Sequence, residues 1–285
     1  MAGAPPDLVV VGHITLDVTA GGTRPGGAAY YAALTAHRLG LRVGLLSSFG
    51  DDFPADALPA DGIALARVPA SQTTMFRLAE TGQGRTLTLT ARADDLEIDD
   101  LPPGWDGAPL AMLCPVINEV DPGLAESLGA ASLGVLPQGW MRRREKGGLI
   151  VPQLWEDAAA VLAWAQIMVA SEEDVAGFRE DAVEWLQRVP LGALTAGRGG
   201  AELFVNGEPY HVAPDQAHEV DETGAGDVFA TVLLIEYDRS GDPWEAAALA
   251  ACAGAASVEG PGAFAVPDRA GLTARLTAYR KRRGG

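Results

Sequence analysis

Short, wholly apolar runs alternate with amphipathic stretches along most of the chain. The first run, Leu8–Val11, is apolar at every position, which is typical of a strand buried on both faces of a parallel sheet. The next stretch, Gly26–Leu39, predicts a helix that ends at Gly40. Further apolar runs predict buried strands at Val43–Ser48, Ile63–Val68, Leu110–Leu113, Leu133–Val135, Ile167–Ala170 and Ala193–Thr195.

Helical patterns separate the later strands and close the chain. They cover Pro122–Leu128, Leu154–Trp164, Asp181–Arg188, Gly224–Tyr237, Pro243–Val258 and Asp268–Arg280. Strands that alternate with helices favour a mostly parallel sheet with helices on both faces. We therefore predict an α/β fold in which residues 1–285 form a single domain.

Two segments interrupt this alternation because their polar and apolar residues follow a period of two. Thr74–Leu78 and Thr86–Thr90 flank the turn Thr81-Gly82-Gln83-Gly84 and predict a β-hairpin. Glu202–Val205 and Tyr210–Ala213 predict a second hairpin. The first hairpin is expected either to have one solvent-exposed face or to cover a site.

Composition narrows the class of protein. The chain has a formal net charge of −17, which argues against a nucleic-acid partner because phosphate backbones are bound by excess lysine and arginine. The only cysteines, Cys114 and Cys252, are too few for a disulfide framework. The sequence has neither a secretory signal pattern nor an apolar run long enough to span a bilayer. We expect a cytoplasmic protein without a membrane partner.

The segment Val220–Phe229, which reads VDETGAGDVF, is the most informative for chemistry. Its glycines let the backbone approach a ligand, and the first amides of the following helix would point at an anion. Asp227 would repel a bound phosphate, yet it can accept a proton from an alcohol that attacks phosphorus. The segment predicts phosphoryl transfer to a hydroxyl group, with Asp227 as general base and the amides of Gly224, Ala225 and Gly226 as the anion hole. The alternative is a glycine-rich turn before a buried helix.

Two common nucleotide-binding patterns are excluded. The only lysines, Lys146 and Lys281, do not lie in a P-loop pattern, so backbone amides, Mg²⁺ and arginine must balance the phosphate charge. A dinucleotide-binding fingerprint also fails, because Phe229 stands where its third small residue is required.

Two glycine motifs resemble signatures of the ribokinase (PfkB) family of sugar kinases, and they occur in the family's order. Gly26-Gly27-Ala28-Ala29, followed by Arg38-Leu39-Gly40, resembles the N-terminal signature, and Asp221–Asp227 resembles the C-terminal one. The resemblance runs nearly end to end. It implies a ribokinase-like three-layer α/β/α sandwich with a mostly parallel central sheet and a small β-lid, which we assign to residues 14–25 and 70–92. Exposed lid strands would allow a homodimer.

The resemblance also implies ATP and Mg²⁺, often with a stimulating monovalent cation such as K⁺. On the acceptor side it implies Asp17, Gly26, Gly27 and Tyr31, which stands where the family usually has asparagine. On the nucleotide side it implies Thr195, Gly197, Gly200, Thr223, Gly224 and Gly226, together with Cys252, Ala255 and Ala256 before the adenine-side loop. His13, just after the first strand, is a further acceptor-side candidate, and a buried structural histidine is the alternative reading.

Asp174 and Asp221 are the candidate metal ligands. Asp174 ends Ser171-Glu172-Glu173-Asp174, which stands where the family has Asn-x-x-Glu near the phosphates and Mg²⁺. Asp221 would hold the monovalent cation, and an ordinary helix N-cap is its alternative role.

A segment that contains Gln138 and Arg142 is similar to one in inositol kinases and related polyol kinases. We therefore predict an ATP-dependent phosphotransferase that acts on a hydroxyl group of a sugar or cyclic polyol. The alternatives are a nucleoside kinase of the same family and a non-catalytic sugar or nucleotide sensor, which the altered Ser171–Asp174 segment would favour. The intact Gly224–Asp227 motif favours a kinase, since a sensor has no use for a base.

Overall fold

The computed structural model describes residues 5–19, 21–81 and 84–284, so Gly82 and Gln83 of the predicted turn lie outside the described residues. The strands are β1 (Leu8–Val11), β2 (Thr15–Thr19), β3 (Gly22–Gly26), β4 (Val43–Phe49), β5 (Ile63–Pro69), β6 (Thr74–Thr81), β7 (Gly84–Ala91), β8 (Leu110–Leu113), β9 (Ser132–Val135), β10 (Arg142–Arg144), β11 (Ile150–Pro152), β12 (Ile167–Ser171), β13 (Leu191–Thr195), β14 (Ala201–Val205) and β15 (Glu208–Val212). The helices are α1 (Ala28–Arg38), α2 (Leu124–Ser127), α3 (Ala158–Leu162), α4 (Arg179–Leu186), α5 (Ala225–Ser240), α6 (Pro243–Ser257) and α7 (Arg269–Arg282).

The largest sheet has the strand order β15-β14-β13-β12-β9-β8-β1-β4-β5. Neighbouring strands are parallel from β13 to β5, and β14 and β15 extend one edge as an antiparallel hairpin. The central strand β1 pairs with β4 on one side and β8 on the other, and all four of its residues are buried. Its continuous aliphatic sequence is explained by helices on both faces.

Alternate residues of β1 enter two different cores. Leu8 and Val10 pack on one face with α1, α5, α6 and α7, whereas Val9 and Val11 pack on the other face with α2, α3 and α4. The prediction of a three-layer α/β/α sandwich is therefore confirmed. No helix among the described residues is long and apolar enough to cross a membrane.

A second sheet, of order β3-β2-β6-β7, forms a lid and lies in the two segments predicted for it. Its inner side is fixed by a small apolar cluster that includes Phe76 and Leu89 from the lid and Val116 and Ile117 from the loop after β8. A single bridge between Thr88 and Leu149 continues β7 toward the β10–β11 hairpin. The lid is thus connected both to the main sheet and to the segment that carries Arg142.

Several helices are shorter than their sequence patterns predict, and α1 and α3 show why. Helix α1 begins at Ala28 rather than at Gly26, because Gly26 ends β3 and Gly27 has a φ of 92°, which no helix accommodates. Helix α3 begins at Ala158 rather than at Leu154. Trp155 instead stacks on Trp140 with 5.0 Å between ring centroids, so tertiary packing replaces the first predicted turn.

Candidate active site

The strand order locates a crevice at the carboxyl end of β1. From β1 the chain proceeds to β4 on one side and returns to β8 on the other, and ligands of such sheets bind where the direction reverses. Gly12, which follows β1, passes so close to the loop after β8 that a β-carbon there would lie 2.2 Å from the carbonyl oxygen of Cys114. The lid strand β2 begins at Thr15, so the lid is attached at this crevice.

Helix α5 begins with an uncapped N-terminus. Gly224 is its N-cap residue with a φ of 80°, and no side chain caps the helix. The amide of Ala225 donates to the carbonyl of Glu222 at 3.2 Å, whereas the amides of Gly224, Gly226 and Asp227 donate to no other described residue. The predicted anion hole therefore needs a correction: the Ala225 amide is already engaged, and the Asp227 amide is available in its place.

Tyr31 of α1 lies directly beneath Gly224. A β-carbon at Gly224 would lie 2.4 Å from the Tyr31 ring, and the side chain of Tyr31 is only 1% exposed. Its hydroxyl is buried without a hydrogen-bond partner among the described residues, and burial raises its pKa. The expectation that Tyr31 contacts the acceptor does not fit this position, because the ring supports the phosphate-side loop instead.

The carboxyl group of Asp227 lies in the first turn of α5 and is only partly exposed. Its pKa is raised to about 7, mainly by burial and also by the charges of Asp174 and Asp17, while the charge of Arg142 opposes the shift. These neighbours come from the loop after β12, from lid strand β2 and from β10, so the fold brings several predicted residues around Asp227. A carboxyl group that titrates near neutrality is suited to accept a proton from a reacting group.

Asp174 and Arg142 are tied together beside Asp227. The carboxylate of Asp174 accepts hydrogen bonds from the Ser171 hydroxyl at 2.6 Å and from the Gln138 side-chain amide at 2.9 Å. The Arg142 guanidinium lies 3.9 Å from the same carboxylate and donates to the carbonyl of Val116 at 3.2 Å. Arg142 is therefore held in the cleft and is not part of a solvated charged face.

Asp17 projects from the lid and is mostly buried. It accepts a hydrogen bond from the Thr15 hydroxyl at 3.1 Å. A β-carbon at Gly26 would lie 2.2 Å from an Asp17 carboxylate oxygen, and one at Gly27 would lie 2.6 Å from the carbonyl oxygen of His13. Both glycines are therefore required for close approach to other parts of the protein, whatever else they contact.

His13 is fully buried, and both of its ring nitrogens have protein partners. Nδ1 lies 2.8 Å from the Thr74 hydroxyl and Nε2 lies 2.8 Å from the carbonyl oxygen of Asp94. The prediction that His13 contacts the acceptor does not fit this arrangement, and the buried structural histidine does. No sequence pattern singled out Glu119, whose buried carboxylate accepts the backbone amides of His13, Val116 and Ile117 and so fixes the loop after β8.

The residues predicted on the nucleotide side divide into two groups. Thr195, Gly197 and Ala255 are partly or fully exposed near the ends of β13 and α6. Cys252 is fully buried in the core, so it cannot contact a nucleotide, and Ala256 is only 8% exposed. A β-carbon at Gly200 would lie 2.2 Å from the carbonyl oxygen of Val212. A glycine at this position therefore allows the end of β15 to pack closely against the loop after β13.

Asp221 is surrounded by hydrogen-bond donors. Its carboxylate accepts the amides of Gly262 at 2.9 Å and Thr223 at 3.1 Å, and it forms an ion pair with Arg24 of β3. Although burial opposes the change, these bonds lower the pKa of Asp221 to about 2. Arg24 was not found from the sequence, since it lies in a short polar strand with no recognisable motif.

The acidic side chains around Asp227 suit a metal ion that is bound mainly by the phosphates of a nucleotide. No group of three or more histidine, cysteine or acidic side chains with metal-binding geometry occurs within residues 5–19, 21–81 and 84–284. Mg²⁺ in kinase sites is commonly bound by one or two carboxylates together with substrate phosphates. Asp174 could supply such a ligand.

Comparisons with known proteins agree with this fold. The sequence pattern of the pfkB family carbohydrate kinases matches residues 126–269. The cytidine kinase of Thermococcus kodakarensis is 27% identical over 259 residues, which cover 84% of this chain and 91% of the relative.

Solved structures extend the similarity over the whole fold. A pyrophosphate-dependent myo-inositol-1 kinase converted into a myo-inositol-3 kinase has a TM-score of 0.79 at 18% identity, covering 95% of this chain and 98% of its own. The ribokinase of Thermotoga maritima has a TM-score of 0.73 at 20% identity, covering 95% and 99% respectively. The fold is therefore ribokinase-like, and because the family pattern spans α5 and the loops after β12 and β13, the protein belongs to the pfkB family of carbohydrate kinases.

Proposed function

We propose that this protein transfers the γ-phosphoryl group of ATP to a hydroxyl group of a sugar or cyclic polyol. The observation that carries the proposal is the position of Asp227. Its carboxyl group has a pKa near 7 in the first turn of a helix whose leading amides have no capping side chain. A base and an anion-binding helix terminus at one place suit attack of an alcohol on a phosphate.

In the proposed reaction, Asp227 accepts the proton of the acceptor hydroxyl as its oxygen bonds to phosphorus and the bond to ADP breaks. The amides of Gly224, Gly226 and Asp227 stabilise the negative charge of the transferred group. Arg142, whose charge acts on the Asp227 carboxyl, adds positive charge beside it. Mg²⁺, held by Asp174 and the phosphates, would neutralise charge on the donor.

The acceptor would bind between the lid and the crevice. Asp17 on β2 can accept hydrogen bonds from hydroxyl groups, and the Arg142 guanidinium, whose carbon lies 5.9 Å from the centroid of the buried Phe76 ring, can donate to them. A ring that carries several hydroxyl groups would match this combination of acceptor and donors.

A nucleoside is the second candidate acceptor. The cytidine kinase relative favours it, since that protein matches most of this chain. A nucleoside would present its ribose hydroxyls to Asp17 and Asp227. The same Asp227 carboxylate and anion hole would serve either acceptor.

An acceptor screen tests the proposal. We expect ADP release from ATP and Mg²⁺ in the presence of one class among sugars, inositols and nucleosides. Replacing ATP by pyrophosphate controls for the donor, because a structural neighbour is pyrophosphate-dependent. If an acceptor raised the Tm of the protein but was phosphorylated with neither ATP nor pyrophosphate, the result would instead support a non-catalytic sensor.

The pH dependence of kcat/KM offers a second test. Asp227 must be ionised to accept a proton, so we expect kcat/KM to rise with pH and to level off above about 7. In the Asp174→Asn variant the midpoint of kcat/KM for MgATP should move to lower pH, because this parameter reports the enzyme before Mg²⁺ binds, when the charge of Asp174 raises the pKa of Asp227. Initial rates at constant ionic strength measure both profiles, each normalised to its own plateau. A flat profile through neutrality in the wild type would contradict the role of Asp227.

A further inference from the structure

The monovalent cation that the family implies does not fit at Asp221. Both oxygens of this carboxylate are taken: Oδ1 accepts the amide of Thr223 at 3.1 Å and Nη2 of Arg24 at 3.3 Å, and Oδ2 accepts the amide of Gly262 at 2.9 Å and Nη1 of Arg24. A potassium ion needs oxygen lone pairs for its coordination shell, and here protein donors already occupy them. The guanidinium would also repel a cation placed beside it.

Arg24 reaches this position from the lid. It lies on β3, where its backbone pairs with that of Asp17 on β2, so the two side chains project from the same rung of the lid sheet. Its Nη2 also donates to the Thr223 hydroxyl at 2.8 Å, immediately before Gly224. The Arg24 side chain is 32% exposed and that of Asp221 is 13% exposed, so the pair is largely shielded from solvent and salt.

The contacts form a continuous path from the lid to the anion hole. Arg24 binds Asp221 and Thr223, Thr223 precedes Gly224, and Gly224 precedes the helix whose amides face the phosphate. In addition, Asp221 binds the amide of Gly262, which belongs to the loop after α6. A single guanidinium therefore orders two phosphate-side loops.

We propose that Arg24 takes the place of the monovalent cation, so that the lid itself provides the positive charge behind the anion hole. This inference rests on the proposed kinase function. It makes catalysis independent of K⁺, and it makes Arg24 a positioning residue, because it acts through Asp221 and Thr223 and does not contact the reacting atoms. The anion hole is fully ordered only when Arg24 of β3 contacts Asp221 and Thr223.

Activity in different cations tests this inference. Wild-type kcat should agree within about twofold between KCl and choline chloride at equal ionic strength. The Arg24→Ala variant should lose roughly tenfold or more of kcat in choline and recover part of it in KCl, because the freed Asp221 carboxylate can then hold the ion. Arg24→Gln, which keeps a polar but shorter and uncharged side chain, should show the same stimulation. Arg42→Ala is the control, since Arg42 forms an ion pair with Asp7 outside the site, where both side chains are more exposed.

A readout without turnover separates this inference from the proposed function. In thermal unfolding, K⁺ relative to choline should raise the Tm of Arg24→Ala and leave the Tm of the wild type unchanged. A wild-type enzyme that K⁺ stimulates several-fold, or stabilises, would overturn the inference and leave the kinase function intact. An Arg24→Ala variant with unchanged kcat and no response to K⁺ would overturn it as well. Failure of the wild type to turn over any acceptor refutes only the kinase, because the unfolding experiment still decides the cation question.

Discussion

The Asp227→Asn variant should lose about 10² or more of kcat, because asparagine cannot accept the proton of the attacking hydroxyl. Donor binding should be retained, since the helix amides and the residues of the nucleotide side are unchanged. Steady-state rates with the best acceptor measure the first effect, and calorimetric titration with ATP and Mg²⁺ measures the second. Asp238→Asn provides the control, because Asp238 is an exposed carboxylate near the other end of α5 and accepts a hydrogen bond from Ser132, far from Asp227 along the helix.

The thermal stability of Asp227→Asn shows whether the variant has lost only its catalytic base or has also lost its folded structure. The pKa of Asp227 is raised on folding, so its contribution to stability is fully present below the unfolded pKa of about 4 and is lost as pH rises through about 7. At pH above about 7 the wild type therefore carries a buried charge that asparagine lacks. We expect Asp227→Asn to unfold at an equal or higher temperature there. Normal turnover by the variant would refute Asp227 as the base.

The Gly224→Ala variant should lose about 10² to 10³ of kcat, comparable to removing a donor from an oxyanion hole. A φ of 80° is energetically unfavourable for alanine, and the alanine β-carbon would lie 2.4 Å from the Tyr31 ring. Since Tyr31 is fully packed, the loop must move, and the amides before α5 move with it. Single-turnover rates at saturating ATP would measure the change in the phosphoryl transfer step.

Gly241 supplies a matched control for Gly224. It ends the same helix with a φ of 67°, and a β-carbon there would meet nothing within 4 Å. Gly241→Ala should therefore reduce the free energy of unfolding by about 1–2 kcal/mol and leave kcat unchanged. If both variants lost activity equally, the effect at Gly224 would reflect general destabilisation and not the geometry of the anion hole.

The fold could be predicted well wherever the signal was local. The bounds of β1 and β8 were predicted correctly because each is a short and uninterrupted apolar run. The first turn predicted for α3 was wrong because the indole of Trp155 packs on Trp140 in the structure, and a helical pattern does not reveal such a distant partner.

The site was predictable to the extent that its residues share one segment. Gly224 and Asp227 lie three positions apart along the chain, so their glycine-rich pattern is visible in the sequence. Arg24 and Asp221 are separated by 197 positions, and only folding brings them together. Cys252 was misplaced for a related reason: proximity to a loop in sequence does not reveal which face of α6 a residue occupies.

The edges of the lid sheet bear on how copies of this protein could associate. The bridge from Thr88 to Leu149 occupies part of the outer side of β7 with the protein's own chain. The opposite edge strand, β3, is five residues long and contains Pro25, which has no N–H to offer a neighbour. A strand from another molecule could thus form few backbone hydrogen bonds with β3, and part of the free edge of β7 is already paired. This geometry protects the lid from uncontrolled strand addition and aggregation.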